Sequence, residues 1–252
     1  MKMATKNIRT LWTLIFVFAA ATLVHGDYTL VKDATSGTEI DLWQALNAVA
    51  PLPAPSWTST PYLNSGADGR RIADGHDNIW TGSDVTVTAL TVFWNGLSTP
   101  SDTNAQQLVY DTNLSGISPV GLPVDMASVG SSVTFQPNET SFILGDRANT
   151  TLAWSRESLN TGFLTDRMLT FDVSNLSIYA WNQLDHAYTT LVRSATEAGP
   201  AYVVTFDPGQ DSDFQDLVVL VEGARPVAPA PGAVVLGSIG LAMVGWLKRR
   251  FA

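Results

Sequence analysis

The chain has 252 residues, of which 14 are basic and 23 acidic, and it contains no cysteine. The missing cysteines exclude disulfides, thiol catalysis and cysteine-ligated metals. Six of the basic residues lie in two terminal stretches without any acidic residue, 1–26 and 226–252, so the 8 basic and 23 acidic residues of 27–225 carry a net charge of −15. This surplus of carboxylates makes nucleic acid a poor partner and makes cations, especially calcium, good ones.

The first segment, Met1–Gly26, has the three parts of a secretory signal. The basic residues Lys2, Lys6 and Arg9 precede an apolar stretch, and a Val-His-Gly triplet closes the segment with a small residue at the cleavage position. We therefore expect export and a mature chain that begins near Asp27. An uncleaved N-terminal anchor is the alternative.

A short N-terminal helix is expected over Glu39–Ala50, where apolar side chains recur at a spacing of three residues. These side chains belong to Ile40, Trp43, Leu46 and Val49. Such a spacing places them on one face of a helix, and the prolines that follow end it. The next stretch, Trp57–Asp84, is rich in Gly, Ser, Asp and Asn and is predicted to be a long loop region.

Strand patterns dominate the rest of the chain up to residue 222. Asp84–Trp94 is rich in β-branched and aromatic residues, as a sandwich strand should be. Shorter strands are predicted at 107–110, 131–135, 141–144, 151–154, 168–173, 177–181, 189–192, 201–206 and 217–222. The stretch Leu114–Gly130 lacks periodicity and is predicted to be a loop. Many short strands at this spacing indicate an all-β fold, an antiparallel β-sandwich or jelly roll over residues 27–224.

The strongest chemical feature is an acidic turn between the last two predicted strands. Its four carboxylates are Asp207, Asp211, Asp213 and Asp216. Carboxylates this close in sequence repel one another unless a cation neutralises them, and calcium accepts an irregular shell of oxygen ligands. The spacing is not that of an EF-hand. We predict that these four residues bind calcium, while a solvated acidic turn is the alternative.

The run Asp211–Val219 reads DSDFQDLVV, an Asp-x-Asp-Phe-x-Asp-Leu pattern. It resembles the hallmark of a domain of unknown function that recurs near the C-terminus of bacterial surface proteins, with Gln215 where that family carries Asn. Weaker similarity to the same module covers most of Glu39–Gly223. The resemblance implies a β-sandwich with calcium, and it implies no reaction.

A second acidic stretch lies upstream and contains Asp68, Asp74, Asp77 and Asp84. A second calcium site there is one interpretation. The other is a turn-rich loop in which Asp and Asn side chains hydrogen-bond to the nearby backbone.

Tryptophans and catalytic motifs bear on the remaining function classes. Trp57 and Trp80 lie in loop-like sequence and are weak candidates for stacking on sugar rings, whereas tryptophans in strand-like sequence should be buried. The buried set is expected to comprise Trp94, Trp154 and Trp181. The chain has no nucleophile elbow, zinc-protease motif or P-loop, so we expect no enzyme activity.

The last segment, Arg225–Ala252, combines a proline hinge, an apolar run and a basic end. These parts are Pro229-Ala230-Pro231, Gly232–Leu247, and Lys248, Arg249 and Arg250. An apolar helix closed by cations is typical of a membrane segment, although this run is at the short edge of the roughly 17–25 residues that span a bilayer. The segment resembles the PEP-CTERM sorting signal of bacterial exported proteins, in a Pro-Ala-Pro variant. That resemblance implies a C-terminal transmembrane helix recognised by an exosortase-type protease, and a plain membrane anchor is the alternative.

Together these features predict an exported protein of the cell surface or extracellular matrix, transiently anchored in the membrane at its C-terminus. Its role would be structural or adhesive, with calcium stabilising the fold. The alternative is a carbohydrate-binding module for exopolysaccharide.

Overall fold

Antiparallel β-strands are the main regular structure in the part of the chain that the structure, a computed structural model, describes. The described residues are 28–34, 40–52, 57–65, 70–92, 106–125, 129–137, 141–148, 151–162, 165–182, 187–209 and 211–227. The strands are β1 (Trp80–Val92), β2 (Gln106–Asp111), β3 (Val120–Asp125), β4 (Ser132–Phe135), β5 (Ser141–Ala148), β6 (Thr151–Trp154), β7 (Met168–Asp172), β8 (Ile178–Asn182), β9 (Ala187–Arg193), β10 (Ala201–Phe206) and β11 (Leu217–Pro226). The expectation of an antiparallel all-β fold is confirmed.

The main sheet has the strand order β3-β2-β5-β1-β11-β10-β7, with β4 added to β1 and β6 added to β5. Strands β8 and β9 form a separate two-stranded sheet. Along one edge of β1, Trp80 and Thr81 pair with β5, and the later residues pair with β4. The other edge of β1 pairs with β11 along its length. The long strand β1 therefore joins the two halves of the sheet.

Apolar side chains of β11 point alternately into two different cores. Leu217, Val219 and Val221 belong to a cluster that also receives side chains from β1 to β7 and β10, so two β layers pack on one shared core. Val218 and Leu220 face the opposite side, where they pack with residues of β7, β8 and the first helix. Burial on both faces explains why this strand reads as an unbroken apolar run, and such burial is the main stabilising term of folding.

Two short helices precede the strands, α1 (Leu42–Val49) and α2 (Thr60–Ser65). Helix α1 confirms the predicted N-terminal helix, and a capping box between Asp41 and Gln44 begins it. Of the four residues predicted to face the core, Leu46 and Val49 are buried, whereas Ile40 and Trp43 are partly buried against the same core. The buried residues are Leu42, Ala45, Leu46 and Val49. The core selects this stripe because it contains both i+3 and i+4 neighbours, which give a wider contact surface.

Two stretches predicted as loop contain regular structure. Within the predicted loop Leu114–Gly130, strand β3 forms at one end of the main sheet. It contains Gly121 and Pro123, and an edge strand tolerates both residues although they hide the strand pattern in the sequence. The predicted loop Trp57–Asp84 contains α2, a one-turn 3-10 helix at Asp74–His76 and the first residues of β1.

The last strand extends past the predicted domain boundary at Ala224. Arg225 pairs with Thr81, and Pro226 pairs with Trp80. This extension follows from β1, which begins four residues before the predicted Asp84 and so offers β11 additional partners.

Several predicted features lie outside the described residues. They are the signal segment 1–26, the sorting residues 229–231, the apolar run 232–247, the basic residues 248–250, Asp68 and Trp94. Within the ranges that the structure describes, no helix is long and apolar enough to cross a membrane. The described residues belong to one unit, Tyr28–Val227.

Candidate metal site

The acidic loop between β10 and β11 is fixed at both ends by strand pairing. Phe206 at the end of β10 pairs with Leu217 at the start of β11. Asp207 and Asp216 therefore leave the sheet side by side, and the loop between them folds back over this point. Sequence position alone brings the ends of the loop together, because a hairpin closes on itself.

Three of the four predicted ligands meet at one point. Carboxylate oxygens of Asp207, Asp211 and Asp213 all lie within 4.8 Å of one another. Asp216 joins the group on the side of Gly209. A β-carbon placed on that glycine would lie 3.5 Å from Asp207 Oδ1, 3.7 Å from Asp211 Oδ1 and 3.8 Å from Asp216 Oδ2. All four aspartates predicted from the sequence are thus brought together.

The loop backbone takes two left-handed turns that residues other than glycine rarely adopt. Ser212 has a φ of 76° and Phe214 a φ of 59°. Both residues are held by contacts. The Ser212 amide donates a hydrogen bond of 2.7 Å to Asp207 Oδ2, and the Phe214 ring is buried in the core beside α1. The Lys32 amide donates to the Ser212 carbonyl at 2.7 Å. These contacts hold the strained loop with its carboxylates pointing together.

Burial and mutual repulsion raise the pKa values of the loop carboxyls. The pKa of Asp213 rises to about 8, first because the group is buried, and further because Asp211 and Asp207 lie beside it. The pKa of Asp216 is raised well above its usual range by burial, and then by Asp213, Asp207, Asp146 and Asp211. A cation among these groups would remove the repulsion and favour their ionised forms.

Unpaired oxygens in the loop match the ligands that a hard cation prefers. Asp211 Oδ1, Asp213 Oδ1 and Gln215 Oε1 are buried and have no hydrogen-bond partner. The side-chain nitrogen of Gln215 donates a 3.0 Å hydrogen bond to Asp213 Oδ2, so the amide oxygen of the same side chain also lies close to the carboxylates. Buried polar atoms normally have partners, and carboxylate and amide oxygens are the ligands of calcium. The donor set therefore fits calcium.

The second acidic stretch is divided by the fold. Asp84 lies in β1 and is exposed, and its carboxylate accepts hydrogen bonds from the side chains of Gln136 and Ser83. Asp74 and Asp77 are instead buried. Burial raises the pKa of Asp77, and the neighbouring carboxyl of Asp166 raises it further. Two further buried carboxyls, Asp146 near the β10–β11 loop and Asp166 near Asp77, were not predicted from the sequence. Each is remote in sequence from the carboxyls beside it.

The two tryptophans proposed for sugar contact are buried, and that assignment is wrong. Trp57 is 1% exposed and packs edge-to-face on Phe171, while Trp80 is fully buried and packs on Tyr202. Neither ring face is available for stacking on a sugar. Trp154 and Trp181 are buried, as predicted.

Comparisons with known proteins give no family. No family model matches the chain, and no curated protein matches it. Two solved lectins show limited similarity. A high-affinity mannose-binding lectin of Ralstonia solanacearum is 10% identical with a TM-score of 0.30, over 57% of this chain and 94% of the lectin. A Chromobacterium violaceum lectin in complex with alpha-methyl-fucoside is also 10% identical with a TM-score of 0.30, over 58% of this chain and 95% of the lectin. A TM-score of 0.30 is too low to assign a fold or a function to this chain.

Proposed function

We propose that this chain is an exported β-protein whose β10–β11 loop binds calcium, with a structural or adhesive role at the cell surface or in the extracellular matrix. One observation carries the proposal. Asp207, Asp211 and Asp213 place oxygens within 4.8 Å of one another, while two of these carboxylates have buried, unpaired oxygens. Such a group is unfavourable without a cation and favourable with one.

The physical role of the ion follows from the position of the loop. The loop connects β10 to β11, and β11 lies in the middle of the main sheet between β1 and β10. Neutralising the loop would close the hairpin that supplies this central strand. Because the carboxylates converge only in the folded chain, the ion would bind the folded form in preference to the unfolded form and raise stability by mass action.

Export and sorting are proposed from the sequence alone. The predicted signal Met1–Gly26 supports secretion, and the Pro-Ala-Pro, apolar and basic parts of the last segment support processing by an exosortase-type protease. Before processing, the apolar run would hold the chain in the membrane. The lack of catalytic motifs favours a role other than an enzyme. The extracellular setting also suits a calcium site, since calcium is abundant there.

Carbohydrate binding stays a prediction, now without the two residues assigned to it. Because Trp57 and Trp80 are buried, an exopolysaccharide would need a different surface. Pull-down of the chain with purified exopolysaccharide tests this alternative. Retention of the chain would support it independently of the calcium proposal.

Thermal melting of the full chain in EDTA and in millimolar calcium tests the calcium proposal. A ligand at 100 times its Kd stabilises by about 2.7 kcal/mol, which corresponds to roughly 5–10 °C in a domain of this size. We expect such a rise with calcium and none with magnesium. Asp213→Asn should remove most of the rise, since it removes a ligand charge at nearly constant shape.

Asp84→Asn is the matched control, because it removes a carboxylate that is exposed and outside the loop. It should keep the full calcium-dependent rise. An unchanged rise in the Asp213→Asn variant would remove this residue from the ligand set, and no rise in the unmodified chain would reduce the loop to a solvated turn.

A further inference from the structure

A second group of buried carboxyls is assembled from distant parts of the chain. Residues 70–72 run along the outer edge of β7, where the Ile72 amide donates to the Thr170 carbonyl and the Asp172 amide donates to the Arg70 carbonyl, both at 2.8 Å. This pairing places the one-turn helix Asp74–His76 and the following Asp77 against the beginning of β7. Asp166 lies two residues before that strand.

Polar atoms in this group lack partners although they are buried. Asp77 is 1% exposed, and neither of its carboxylate oxygens has a hydrogen-bond partner. Asp166 Oδ2 is also buried and unpaired. The fully buried Thr170 hydroxyl lies beside the Asp77 carboxyl and lowers its pKa, so this hydroxyl is directed into the group. A buried hydroxyl and three carboxyl oxygens are thus available to a ligand.

The charges within the group do not balance. Arg71 pairs with Asp74 at 3.2 Å, and both side chains are buried. One guanidinium against three carboxylates leaves two negative charges, the number that one divalent cation neutralises. Without such a cation, burial and the neighbouring carboxyls raise the pKa values of Asp77 and Asp166 well above their usual range. The group must therefore hold either a cation or protons.

The N-terminal segment 28–34 covers the group. The Thr29 amide donates a hydrogen bond to Asp74 Oδ2, and the Thr29 carbonyl accepts one of 2.7 Å from Arg71. The Tyr28 ring lies over the Arg71 guanidinium, with 5.1 Å to the ring centre. Anything bound among the carboxyls would hold these first described residues against the fold.

We propose that Asp77 and Asp166, with Asp74 and the Thr170 hydroxyl, form a second site for a hard divalent cation of the calcium class. This site is separate from the β10–β11 loop and shares no residue with it. Among the described residues, only the loop brings three carboxylate oxygens mutually within 4.8 Å. The second site must therefore contract around its ion, and we expect it to bind calcium more weakly than the loop.

The number of calcium ions bound per chain tests this site directly. Equilibrium dialysis of the full chain against radioactive calcium should give two ions at saturation, one tight and one weak. Asp77→Asn should lose the weak ion and keep the tight one. Asp213→Asn should do the reverse, so failure of the loop site and failure of the second site are distinguishable.

Two further variants secure the interpretation. Asp84→Asn, the exposed carboxylate from the same sequence stretch, should bind both ions. Asp166→Asn should lose the same ion as Asp77→Asn. If circular dichroism shows that Asp77→Asn is unfolded, Asp166→Asn is used in its place. Hydrogen exchange of residues 28–34 should slow when the weak ion binds.

The proposal is overturned if Asp77→Asn and Asp166→Asn bind as many calcium ions as the unmodified chain. It is equally overturned if the unmodified chain binds one ion, and that ion is lost only in Asp213→Asn. In either case the group holds protons, and the infrared band of a protonated carboxyl should be present in the unmodified chain and weaker in Asp77→Asn.

Discussion

The two acidic groups of this protein are assembled by opposite routes. The loop group takes Asp207, Asp211, Asp213 and Asp216 from ten consecutive residues between two paired strands. The edge group collects Asp74, Asp77 and Asp166 from two segments about ninety residues apart in sequence. A local group can be recognised from spacing. A group assembled by sheet pairing is visible only after the strands are placed.

The groups also differ in how they are held and covered. The loop group is anchored by the buried Phe214 and has the exposed Gly209 on one side, so an ion can enter from solvent. Each group has one guanidinium beside it, Arg167 near Asp207 of the loop group and Arg71 paired with Asp74 of the edge group, but only the edge group lies under Thr29. We therefore expect the loop to respond quickly and strongly to calcium, and the edge group to respond weakly and together with the N-terminal segment.

The largest expected effect comes from removing the anchor of the loop. Phe214→Ala should destabilise the chain by about 3–5 kcal/mol, the usual loss for a fully buried phenylalanine. It should also weaken tight calcium binding, because the left-handed turn at this residue loses its buried anchor, while the weak ion of the edge group is retained. Denaturant unfolding with and without calcium measures both effects. Calcium stabilisation equal to that of the unmodified chain would show that the loop needs no apolar anchor.

The pH dependence of calcium stabilisation should separate the loop from a simple surface turn. Without calcium, the folded pKa of Asp213 is about 8, above its value in the unfolded chain. The stability associated with its protonated form is therefore present below about pH 4 and is lost as the pH rises through 8. Calcium binds the ionised form, so the rise in Tm with calcium should be several degrees larger at pH 8.5 than at pH 5.

Melting curves at pH 5, 7 and 8.5, each in EDTA and in calcium, provide this measurement. Asp213→Asn should have a flatter pH dependence in EDTA, because the titrating carboxyl is gone. Equal calcium shifts at pH 5 and pH 8.5 would contradict the raised pKa as well as the role of this carboxyl.

The smallest expected effect is the most specific to the loop. Gly209→Ala places a methyl group 3.5–3.8 Å from three carboxylate oxygens, which is ordinary contact for the protein but crowds an ion and its water ligands. We expect calcium affinity to fall about tenfold, or 1.4 kcal/mol, with Tm in EDTA nearly unchanged. Gly75→Ala in the edge group is the matched control, since a β-carbon there meets nothing within 4 Å. Calcium titration that gives equal affinities for both variants would place the ion elsewhere.

Prediction from the sequence succeeded where the signal was local. The boundaries of β6 and β10 were predicted to the residue, because turn-forming residues flank both strands in the sequence. The face of α1 was predicted with a rotation, and β3 was predicted as loop. Helix rotation depends on which stripe the core covers, and an edge strand with Gly121 and Pro123 has little pattern of its own.

The sequence by itself determined three features of this chain: the antiparallel β fold, the surplus of carboxylates and the loop with four aspartates. These aspartates must converge because a hairpin closes on itself. Tertiary structure decided which side chains have access to solvent. It buried Trp57 and Trp80 under neighbouring aromatic rings, exposed Asp84, and joined Asp166 to Asp77 across the edge of β7. Burial and long-range pairing depend on the whole sheet, and no short stretch of sequence contains that information.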